Sequence, residues 1–278
     1  MRIVLVVNPR SGADVAPEDL EAELRRHGAS VQRLATEEMD RAPEAGPDRI
    51  VVACGDGTLA PAADIAAQAG AELAVVPAGT ANDFARAMGL PRDLEEACRL
   101  AATGQVVRRV DLGRLRERPF LNVANGGLPY RAAREARGLK GALGSLAYGA
   151  GGLRAALSAE PVSCRVTCDG RLLFEGVAWQ VTVANTGAFG AGSRVEANPA
   201  DGLLDAVVIE AGSRARLALH GAGLRRGSVG GRPGVRRGRG ARVDLRLVPG
   251  GLNVDGELVE GEDATLSVEP GAVALVVG

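Results

Sequence analysis

Residues 50–60 read IVVACGDGTLA, and this stretch decides the fold class of the 278-residue chain. Its first half is a continuous apolar run typical of a buried strand. That run ends in a glycine-bearing loop, followed by an alanine-rich segment, 59–69, that predicts a helix. A loop between a strand and a helix exposes free N–H groups, and glycines let a phosphate approach the backbone closely. Gly55, Gly57 and Thr58 fit such a phosphate loop.

Asp56, between the two glycines, does not fit a bare anion site. Its charge would repel a phosphate unless Mg²⁺ or an ordered set of donors intervened. We therefore expect this acid either near a metal ion or as an organiser of the loop. A plain Asp-Gly turn that closes the strand explains the five residues CGDGT equally well.

A second loop shifts that balance toward a phosphate site. Residues 75–91, VVPAGTANDFARAMGLP, again place Gly-Thr after an apolar strand. Thr80 can donate to a phosphate or a ribose, while Asn82 or Asp83 can cap a helix predicted to begin at Phe84. The sequence contains neither the P-loop nor the Rossmann glycine pattern, so neither of those nucleotide sites is supported.

Strand-like and helix-like segments alternate through the first 115 or so residues. The predicted strands are 3–7, 31–34, 50–53 and 73–76, and the predicted helices include 17–27 and 59–69. Unbroken apolar strands that alternate with helices indicate a parallel sheet covered on both faces, with ligands at the carboxyl ends of the strands. Asn8, Ser11 and Gly12 follow the first strand and add a third polar loop to the same edge.

From about residue 119 the pattern changes to short strands separated by turn signals, including two Asp-Gly hairpin pairs. This half is predicted to be mainly antiparallel sheet, with its clearest helix at 144–159. A Gly- and Arg-rich segment, 224–246, can be a solvated loop, which we favour slightly, or a contact for anionic lipid headgroups. No aromatic residue lies among its arginines to stack on bases, which disfavours nucleic acid.

Composition limits the mechanism. The formal net charge of -1 gives no overall attraction to nucleic acid or to an anionic membrane. Lys140 is the only lysine, so arginine or a metal ion would have to compensate phosphate charge. The four cysteines do not form a compact disulfide framework and are expected to be reduced thiols of a cytosolic protein. The N-terminal apolar run predicts a first strand, too short for a signal peptide or a membrane span.

Six motifs are spread along the chain. They are CGDGT (54–58), PAGTANDFARAMGLP (77–91), NVANGG (122–127), LAYGAGGLRAALS (146–158), ADGLLDAVVI (200–209) and VDGE (254–257). Their order resembles the diacylglycerol kinase catalytic-domain family, which includes bacterial lipid kinases and sphingosine kinases. The resemblance covers nearly the whole chain. It implies an N-terminal doubly wound α/β nucleotide-binding domain, 1–118 with a C-terminal strand at about 270–278. It also implies a C-terminal antiparallel β-sandwich domain, 119–269, with the acceptor and metal sites.

By similarity, the implied activity is that of an ATP- and Mg²⁺-dependent kinase that phosphorylates the hydroxyl of a lipid, diacylglycerol or a related lipid alcohol. Glu257 is expected to take the proton from the lipid hydroxyl, with Asp56 as a second catalytic residue. The implied ATP-binding residues are Asn8, Thr36, Cys54, Gly55, Asp56, Gly57, Thr58, Leu59, Ala60 and Thr80. The implied Mg²⁺ ligands are Asp201 and the main-chain carbonyls of Asn198 and Leu203.

The resemblance also implies a location and partners. Such an enzyme would be cytoplasmic and would contact the inner face of the membrane transiently, as a peripheral protein. ATP and a lipid alcohol are the expected partners, nucleic acid is not expected, and a homodimer is left open.

The sequence departs from the family pattern at three places. The Asn-Glu pair that usually follows GDGT is replaced by Ala60-Pro61, so a polar network under the loop is lost, although proline early in a helix is tolerated. The acid that usually follows the NxxxGG motif, near the acceptor head group, is missing from Gly127-Leu128-Pro129. Cys54 replaces the first glycine of GGDGT. Two alternatives stay open: a kinase of the same fold acting on a sphingoid base, a polyprenyl alcohol or a soluble alcohol, and a catalytically silent nucleotide-binding module.

Overall fold

The first half of the chain folds into a parallel sheet. The computed structural model describes residues 1–8, 16–143, 160–190, 192–227 and 231–278. Strands β1 (Arg2–Val7), β2 (Ser30–Ala35), β3 (Arg49–Cys54) and β4 (Glu72–Pro77) lie in the order β2-β1-β3-β4, and all neighbouring pairs are parallel. Val7 pairs with both Ala35 and Ala53, so the carboxyl ends of these strands reach the same edge of the sheet.

Helices cover both faces of this sheet. They are α1 (Pro17–Arg26), a 3₁₀ helix (Thr36–Ala45), α2 (Asp56–Ala69), α3 (Asp83–Ala87) and α4 (Leu94–Thr103). Val52 of β3 belongs to one core with Ala63 of α2. Its neighbour Val51 belongs to the opposite core with Leu24 of α1 and Ala101 of α4. Because β1, β3 and β4 are buried on both sides, the predicted doubly wound α/β architecture is confirmed.

The second half of the chain is mainly antiparallel. Its elements are β5 (Val106–Leu115), β6 (Arg118–Phe120), β7 (Val123–Gly127), α5 (Leu128–Leu143), β8 (Val162–Cys168), β9 (Arg171–Ala184), β10 (Ala188–Phe189), β11 (Ser193–Arg194), β12 (Leu204–Glu210), α6 (Arg214–Arg226), β13 (Val235–Gly240), β14 (Arg242–Val248), β15 (Leu252–Val254), β16 (Glu257–Val259) and β17 (Asp263–Val277). Val166, Val181 and Val243 belong to the core of this half. The predicted C-terminal β-sandwich is thus confirmed.

Strand β17 connects the two halves. It pairs antiparallel with β14 and with β5, and Leu275 near its end pairs in parallel with Leu73 of β4. Leu275 is buried in the same core as α2. The last residues of the chain therefore return to the parallel sheet.

Most predicted elements are confirmed. Three of the four predicted strands are observed with one more residue at each end, and the first, predicted at 3–7, gains one residue at its start. Both Asp-Gly hairpins form, at Asp169-Gly170 and at Asp255-Gly256. The helix predicted at 59–69 begins earlier, at Asp56. Helix α5 was not predicted, and the helix predicted at 144–159 lies outside the described residues.

The preference for a solvated loop at 224–246 was wrong. The segment contains the end of α6, all of β13 and most of β14. Strand β13 pairs antiparallel with β12, and the guanidinium groups of Arg236 and Arg239 form ion pairs with Glu210 and Asp205 of β12. Carboxylates on the neighbouring strand compensate the arginines, which lets a strongly basic segment join the sheet.

The cysteines agree with a further expectation. All four cysteines are unpaired and buried, as expected for reduced thiols. Within the described part of the chain, no helix is long and apolar enough to cross a bilayer.

Candidate active site

The phosphate-loop residues lie at the carboxyl edge of the parallel sheet. Asn8 follows β1, Thr36 follows β2, Gly55 follows β3 and Thr80 follows β4. Ser11 and Gly12 lie outside the described residues. The structure thus brings the ends of four strands to one edge.

Two glycines allow the loops after β3 and β4 to touch. A Cβ atom on Gly79 would lie 2.5 Å from the Cα atom of Gly55 and 2.9 Å from Oδ1 of Asn82. Carbon atoms in contact are normally about 3.5–4.0 Å apart, so a side chain at Gly79 would push the loops apart. Gly57, in the first turn of α2, has open space where its Cβ would be. Gly79 is thus needed for the packing of the two loops, whereas the lack of a side chain at Gly57 leaves the space at the start of α2 open.

Asp56 joins these two loops. Its Oδ2 accepts the N–H of Asp83 at 3.0 Å and its Oδ1 accepts the N–H of Phe84 at 3.0 Å. Asn82 precedes α3 in a left-handed conformation, with its side chain bonded to the N–H and C=O of Gly79 at 2.9 and 2.8 Å. The expectation that Asn82 or Asp83 caps this helix was therefore wrong, because Asp56 supplies the acceptor from 27 residues away.

Cys54 is buried beneath the loop and does not crowd it. Burial raises the pKa of its thiol to about 11, while hydrogen bonds from the Asn8 main chain and the Thr58 side chain act in the opposite direction. Its Sγ also lies 3.7 Å from the carbonyl oxygen of Val6. Leu59 is buried in the core beside it. Cys54 and Leu59 therefore support the loop from inside the sheet.

A cleft of about 410 Å³ lies beside the start of α2. One wall is formed by Gly57, Ala60 and Pro61 of α2, and the other walls by 117–119 and by the hairpin of β15 and β16. The hairpin contributes Val254, Asp255 and Glu257. The sequence motifs GDGT and VDGE, almost 200 residues apart, therefore face the same space.

Glu257 lies at this cleft and is about half exposed. Its carboxylate forms an ion pair with Arg118 of β6. Among the described residues, Arg118 is the only basic side chain that lines the cleft, against the acidic Glu117, Asp255 and Glu257. The cleft thus carries an excess of negative charge that an incoming triphosphate would need a cation to overcome.

Asp255 is a residue whose role the sequence did not reveal. Its carboxylate accepts three main-chain N–H groups, from Leu121 at 2.7 Å, Asn122 at 3.1 Å and Val123 at 2.9 Å. Burial raises the pKa of Asp255 to about 6; the three N–H groups oppose this rise, and the nearby Asp56 carboxylate adds to it. The VDGE motif marked this position, but a turn residue was the simpler interpretation. Asp255 instead fixes the start of β7 against the hairpin.

The ADGLLD turn, expected to hold Mg²⁺, is attached through Asp111. This buried carboxylate accepts the N–H of Gly202 at 2.8 Å and the N–H of Gly271 at 2.7 Å. In the turn itself, Asp201 accepts the N–H of Leu203 at 3.2 Å and forms an ion pair with Arg239.

The predicted metal ligands fit a hard cation only in part. One carboxylate and two carbonyl oxygens, from Asp201, Asn198 and Leu203, are the oxygen types that Mg²⁺ prefers. However, Arg239 already neutralises Asp201, and within the described residues no group of three or more His, Cys, Asp or Glu side chains could hold an ion. In this conformation the turn therefore offers a cation a single carboxylate, which Arg239 already pairs.

The NVANGG motif (122–127) begins the part of the site that belongs to the sandwich. Asn125 accepts a hydrogen bond from Thr182 at 2.6 Å, and Asn122 accepts one from Thr186 at 2.6 Å, all within the buried interior. Helix α5 begins at Leu128, directly after the motif, so Pro129 lies in its first turn. A proline is well tolerated there, so the replacement of the family's usual acid by Leu128-Pro129 does not disturb the fold.

The fold and the site define a class of protein. A diacylglycerol kinase structure from Bacillus anthracis str. Sterne has a TM-score of 0.78 at 20% identity, with 100% of this chain and 97% of that chain covered. An NAD kinase from Archaeoglobus fulgidus in complex with ATP has a TM-score of 0.55 at 14% identity, with 99% and 92% covered. At these identities the likeness shows the fold alone, which is the one that both groups of kinases share.

Sequence comparison gives the family. A model of the diacylglycerol kinase catalytic domain matches residues 2–115, and one of the YegS C-terminal NAD kinase beta sandwich-like domain matches residues 122–277. A probable lipid kinase YegS-like protein of Pseudomonas aeruginosa is 34% identical over 246 residues, 84% of this chain and 78% of the relative. The diacylglycerol kinase of Bacillus subtilis is 30% identical over 228 residues, 75% and 74% of the two chains. The chain therefore belongs to the diacylglycerol kinase catalytic-domain family and is an enzyme of the lipid kinase class.

Proposed function

We propose that this enzyme transfers the γ-phosphoryl group of ATP to the hydroxyl of a lipid, diacylglycerol or a related lipid alcohol. The observation that carries the proposal is the shared cleft: the glycine loop at the start of α2 and the carboxylate of Glu257 line the same space. Phosphoryl transfer needs positioning, charge compensation and a proton acceptor, and these two features supply the first and the last.

The nucleotide occupies the carboxyl edge of the parallel sheet in this proposal. Free N–H groups at the start of α2 receive the phosphates, and Gly57 leaves room for their approach. Asn8, Thr36 and Thr80 contact the remainder of the nucleotide from the neighbouring strand ends. Asp56 keeps the loops after β3 and β4 in register through its bonds to α3. Mg²⁺ enters with ATP, as part of the substrate.

In this proposal the two halves of the fold bind the two substrates. Residues 1–118 with 270–278 form the nucleotide unit, a proposal supported by the return of Leu275 to the parallel sheet. Residues 119–269 form the acceptor unit. A protein-bound Mg²⁺ at Asn198, Asp201 and Leu203 stays a prediction, and it requires Arg239 to release the Asp201 carboxylate.

Glu257 accepts the proton of the lipid hydroxyl. The hydroxyl oxygen attacks the γ-phosphorus, the bond to the β-phosphate oxygen breaks, and ADP leaves with its electron pair while the proton passes to the carboxylate. An exposed ion pair contributes only about 0–1 kcal/mol, so Arg118 can leave Glu257 at little cost when substrates enter. The Asp255 carboxylate is already occupied by three N–H groups.

A different acceptor is the second candidate. The family's acid after NxxxGG is replaced by Leu128-Pro129 at the start of α5, so this chain lacks the group expected beside the acceptor head. A sphingoid base, a polyprenyl alcohol or a soluble alcohol would then replace diacylglycerol.

A catalytically silent nucleotide-binding module is the third candidate, and Ala60-Pro61 beneath the loop favours it. The enzyme would act in the cytoplasm, at the inner face of the membrane.

Labelled ATP and a panel of acceptors test these candidates. Thin-layer chromatography of reactions with diacylglycerol, a sphingoid base, a polyprenol and glycerol should show a labelled product from diacylglycerol or a related lipid. Glu257→Gln should abolish that product while calorimetry shows unchanged binding of Mg²⁺ and an ATP analogue. Glu175→Gln is the matched control, because Glu175 is also half exposed and paired with an arginine, Arg165, in the sandwich. Retained turnover in Glu257→Gln would refute the proton-acceptor role.

A further inference from the structure

Helix α6 carries an exposed apolar and basic face. Its buried side, with His220, Gly223 and Leu224, lies toward the sheet, where Leu224 packs with Trp179 and Ile209. The exposed side consists of Arg214, Ala215, Arg216, Ala218, Leu219, Gly221, Ala222, Arg225 and Arg226, which we call the α6 face. Leu219 is 64% exposed, the highest value among the large hydrophobic residues that the structure describes. Apolar positions 215, 218, 219 and 222 follow helical spacing, so they form one stripe with arginines at both ends.

The four arginines of the α6 face lack carboxylate partners. Elsewhere in the sandwich, Arg165, Arg236, Arg237, Arg239 and Arg242 form ion pairs, whereas among the described residues Arg171, Arg194 and Arg246 are single arginines without one. The α6 face differs in that it gathers four such arginines on one helix. No ion pair involves Arg214, Arg216, Arg225 or Arg226 within the described part of the chain, and α6 itself contains no acidic residue. Asp14 is the only acidic residue of the sequence that lies outside the described ranges. The charge of this face is therefore uncompensated.

Folding accounts for only part of this arrangement, because Arg225 and Arg226 occupy the last turn of α6, where the helix dipole favours cations. Arg214 and Arg216 occupy the first turn of α6, where the helix dipole makes a cation unfavourable by about 0.3–1 kcal/mol. An exposed leucine likewise gains nothing from the folded state. Cations that oppose the dipole, next to an apolar stripe in water, are better explained by a partner that offers negative charge beside an apolar layer.

We propose that the α6 face docks on an anionic lipid bilayer, with Leu219 and the alanines in the headgroup region and the arginines on lipid phosphates. This surface rests on the proposed function, since a lipid kinase must reach its acceptor at the bilayer, and no helix among the described residues is long and apolar enough to cross it. Because the opposite side of α6 packs on the sheet, only the exposed stripe enters the interface, where apolar burial and attraction of the arginines to anionic lipids hold it. The apolar stripe and the absence of aromatic side chains from α6 favour a membrane over nucleic acid.

Vesicle flotation tests the docking surface. Wild-type protein should float with vesicles of phosphatidylglycerol and phosphatidylcholine, bind vesicles of phosphatidylcholine alone much less, and dissociate as salt is added. Each arginine near an anionic surface is worth about fivefold in partitioning, so R214A/R216A and R225A/R226A should each lower it by about 25-fold. Leu219→Ser should weaken it as well. The pair R236A/R242A is the matched control, because these arginines are already paired with Glu210 and Asp244.

Two readouts separate this proposal from the proposed function. Calorimetric ATP binding and turnover of a short-chain, water-soluble acceptor should be unchanged in the α6 variants, while turnover of vesicle-bound acceptor falls. Vesicle binding that is indifferent to phosphatidylglycerol, or an equal loss in R236A/R242A, would overturn the docking surface even if kinase activity is found. Binding of single-stranded RNA or duplex DNA through the same arginines, with vesicle binding intact in the variants, would overturn it in favour of nucleic acid. Exposed Arg→Ala changes on a helix should not impair folding, which circular dichroism checks.

Discussion

Two glycines of the candidate phosphate loop should respond in opposite ways to the same substitution. Gly57 lies in the first turn of α2 with nothing within 4 Å of where its Cβ would be, and it lines the cleft. Gly79 lies against the neighbouring loop, where a Cβ would be 2.5 Å from the Cα of Gly55. Gly57 has room for a methyl group, whereas main-chain atoms fill the space beside Gly79. An alanine substitution therefore tests ATP binding at position 57 and loop packing at position 79.

The expected magnitudes follow from these contacts. Alanine replaces a helical glycine in Gly57→Ala, which should raise the free energy of unfolding by up to about 1 kcal/mol. The added methyl group stands where a phosphate would approach the N–H groups, so affinity for ATP should fall about tenfold or more, equivalent to about 1.4 kcal/mol. Gly79→Ala should lower the free energy of unfolding by about 1–3 kcal/mol, because main chain must move to accept the methyl group. It should also weaken ATP binding, since Asp56 holds the same two loops together.

Urea unfolding followed by circular dichroism and calorimetric titration with Mg²⁺ and an ATP analogue measure the two quantities. Gly221→Ala is the matched control, a glycine in α6 that also has open space for a Cβ. It should be as stable as the wild type or slightly more so, with unchanged ATP affinity. If Gly57→Ala bound ATP as tightly as the wild type, phosphate would not lie at the start of α2, and the assignment of the GDGT loop would be refuted.

Two further predictions concern the buried carboxylates. The folded-state pKa of Asp255, about 6, lies above its ordinary value of 3.8, so the stability it contributes is present at low pH and is lost as pH rises through about 6. Between about pH 4 and pH 6, the free energy of unfolding of the wild type should therefore fall by on the order of 3 kcal/mol more than that of Asp255→Asn. If the free energy of unfolding changed with pH in the same way in both proteins, this prediction would be wrong. Asp111→Asn should cost about 1–3 kcal/mol in urea unfolding, because one N–H, of Gly202 or Gly271, loses its acceptor. Asp201→Asn, which removes a partly exposed ion pair with Arg239, should cost about 1 kcal/mol or less, and equal losses in the two variants would show that Asp111 does not fix the turn.

The parallel half of the fold was predictable because its signals are local. The apolar runs of β1, β3 and β4 are strands buried on both faces, whereas β2 is a mostly exposed outer strand. The loops that follow the four strands are at the same edge because parallel strands end together. Helix α5 was not predicted, because its segment begins with Leu128-Pro129 and contains glycines, which weaken the local sequence pattern of a helix.

The internal bonds of the site could not be predicted from local patterns. The acceptor for α3 comes from Asp56, although Asn82 and Asp83 stand at the position where a cap is expected. The arginines of β13 suggested a solvated loop, because their carboxylate partners on β12 are more than 25 residues away in sequence. In both cases the deciding contact joins segments that only the folded chain brings together.

Three aspartates around the site share one structural task, and this helps to identify the carboxylate that accepts the proton of the lipid hydroxyl. Asp56, Asp111 and Asp255 each accept two or three main-chain N–H groups from distant segments, and such charge-assisted bonds are about twice as strong as neutral ones. Together they fix the loop after β4, the ADGLLD turn and the start of β7. Although burial raises the pKa of Asp255 to about 6, a proton on any of these three carboxylates would disturb the N–H bonds that position the site. Glu257 has an exposed arginine as its partner, from which it separates at low cost, so the geometry favours Glu257 over Asp255 and Asp56 as the group that takes the acceptor's proton.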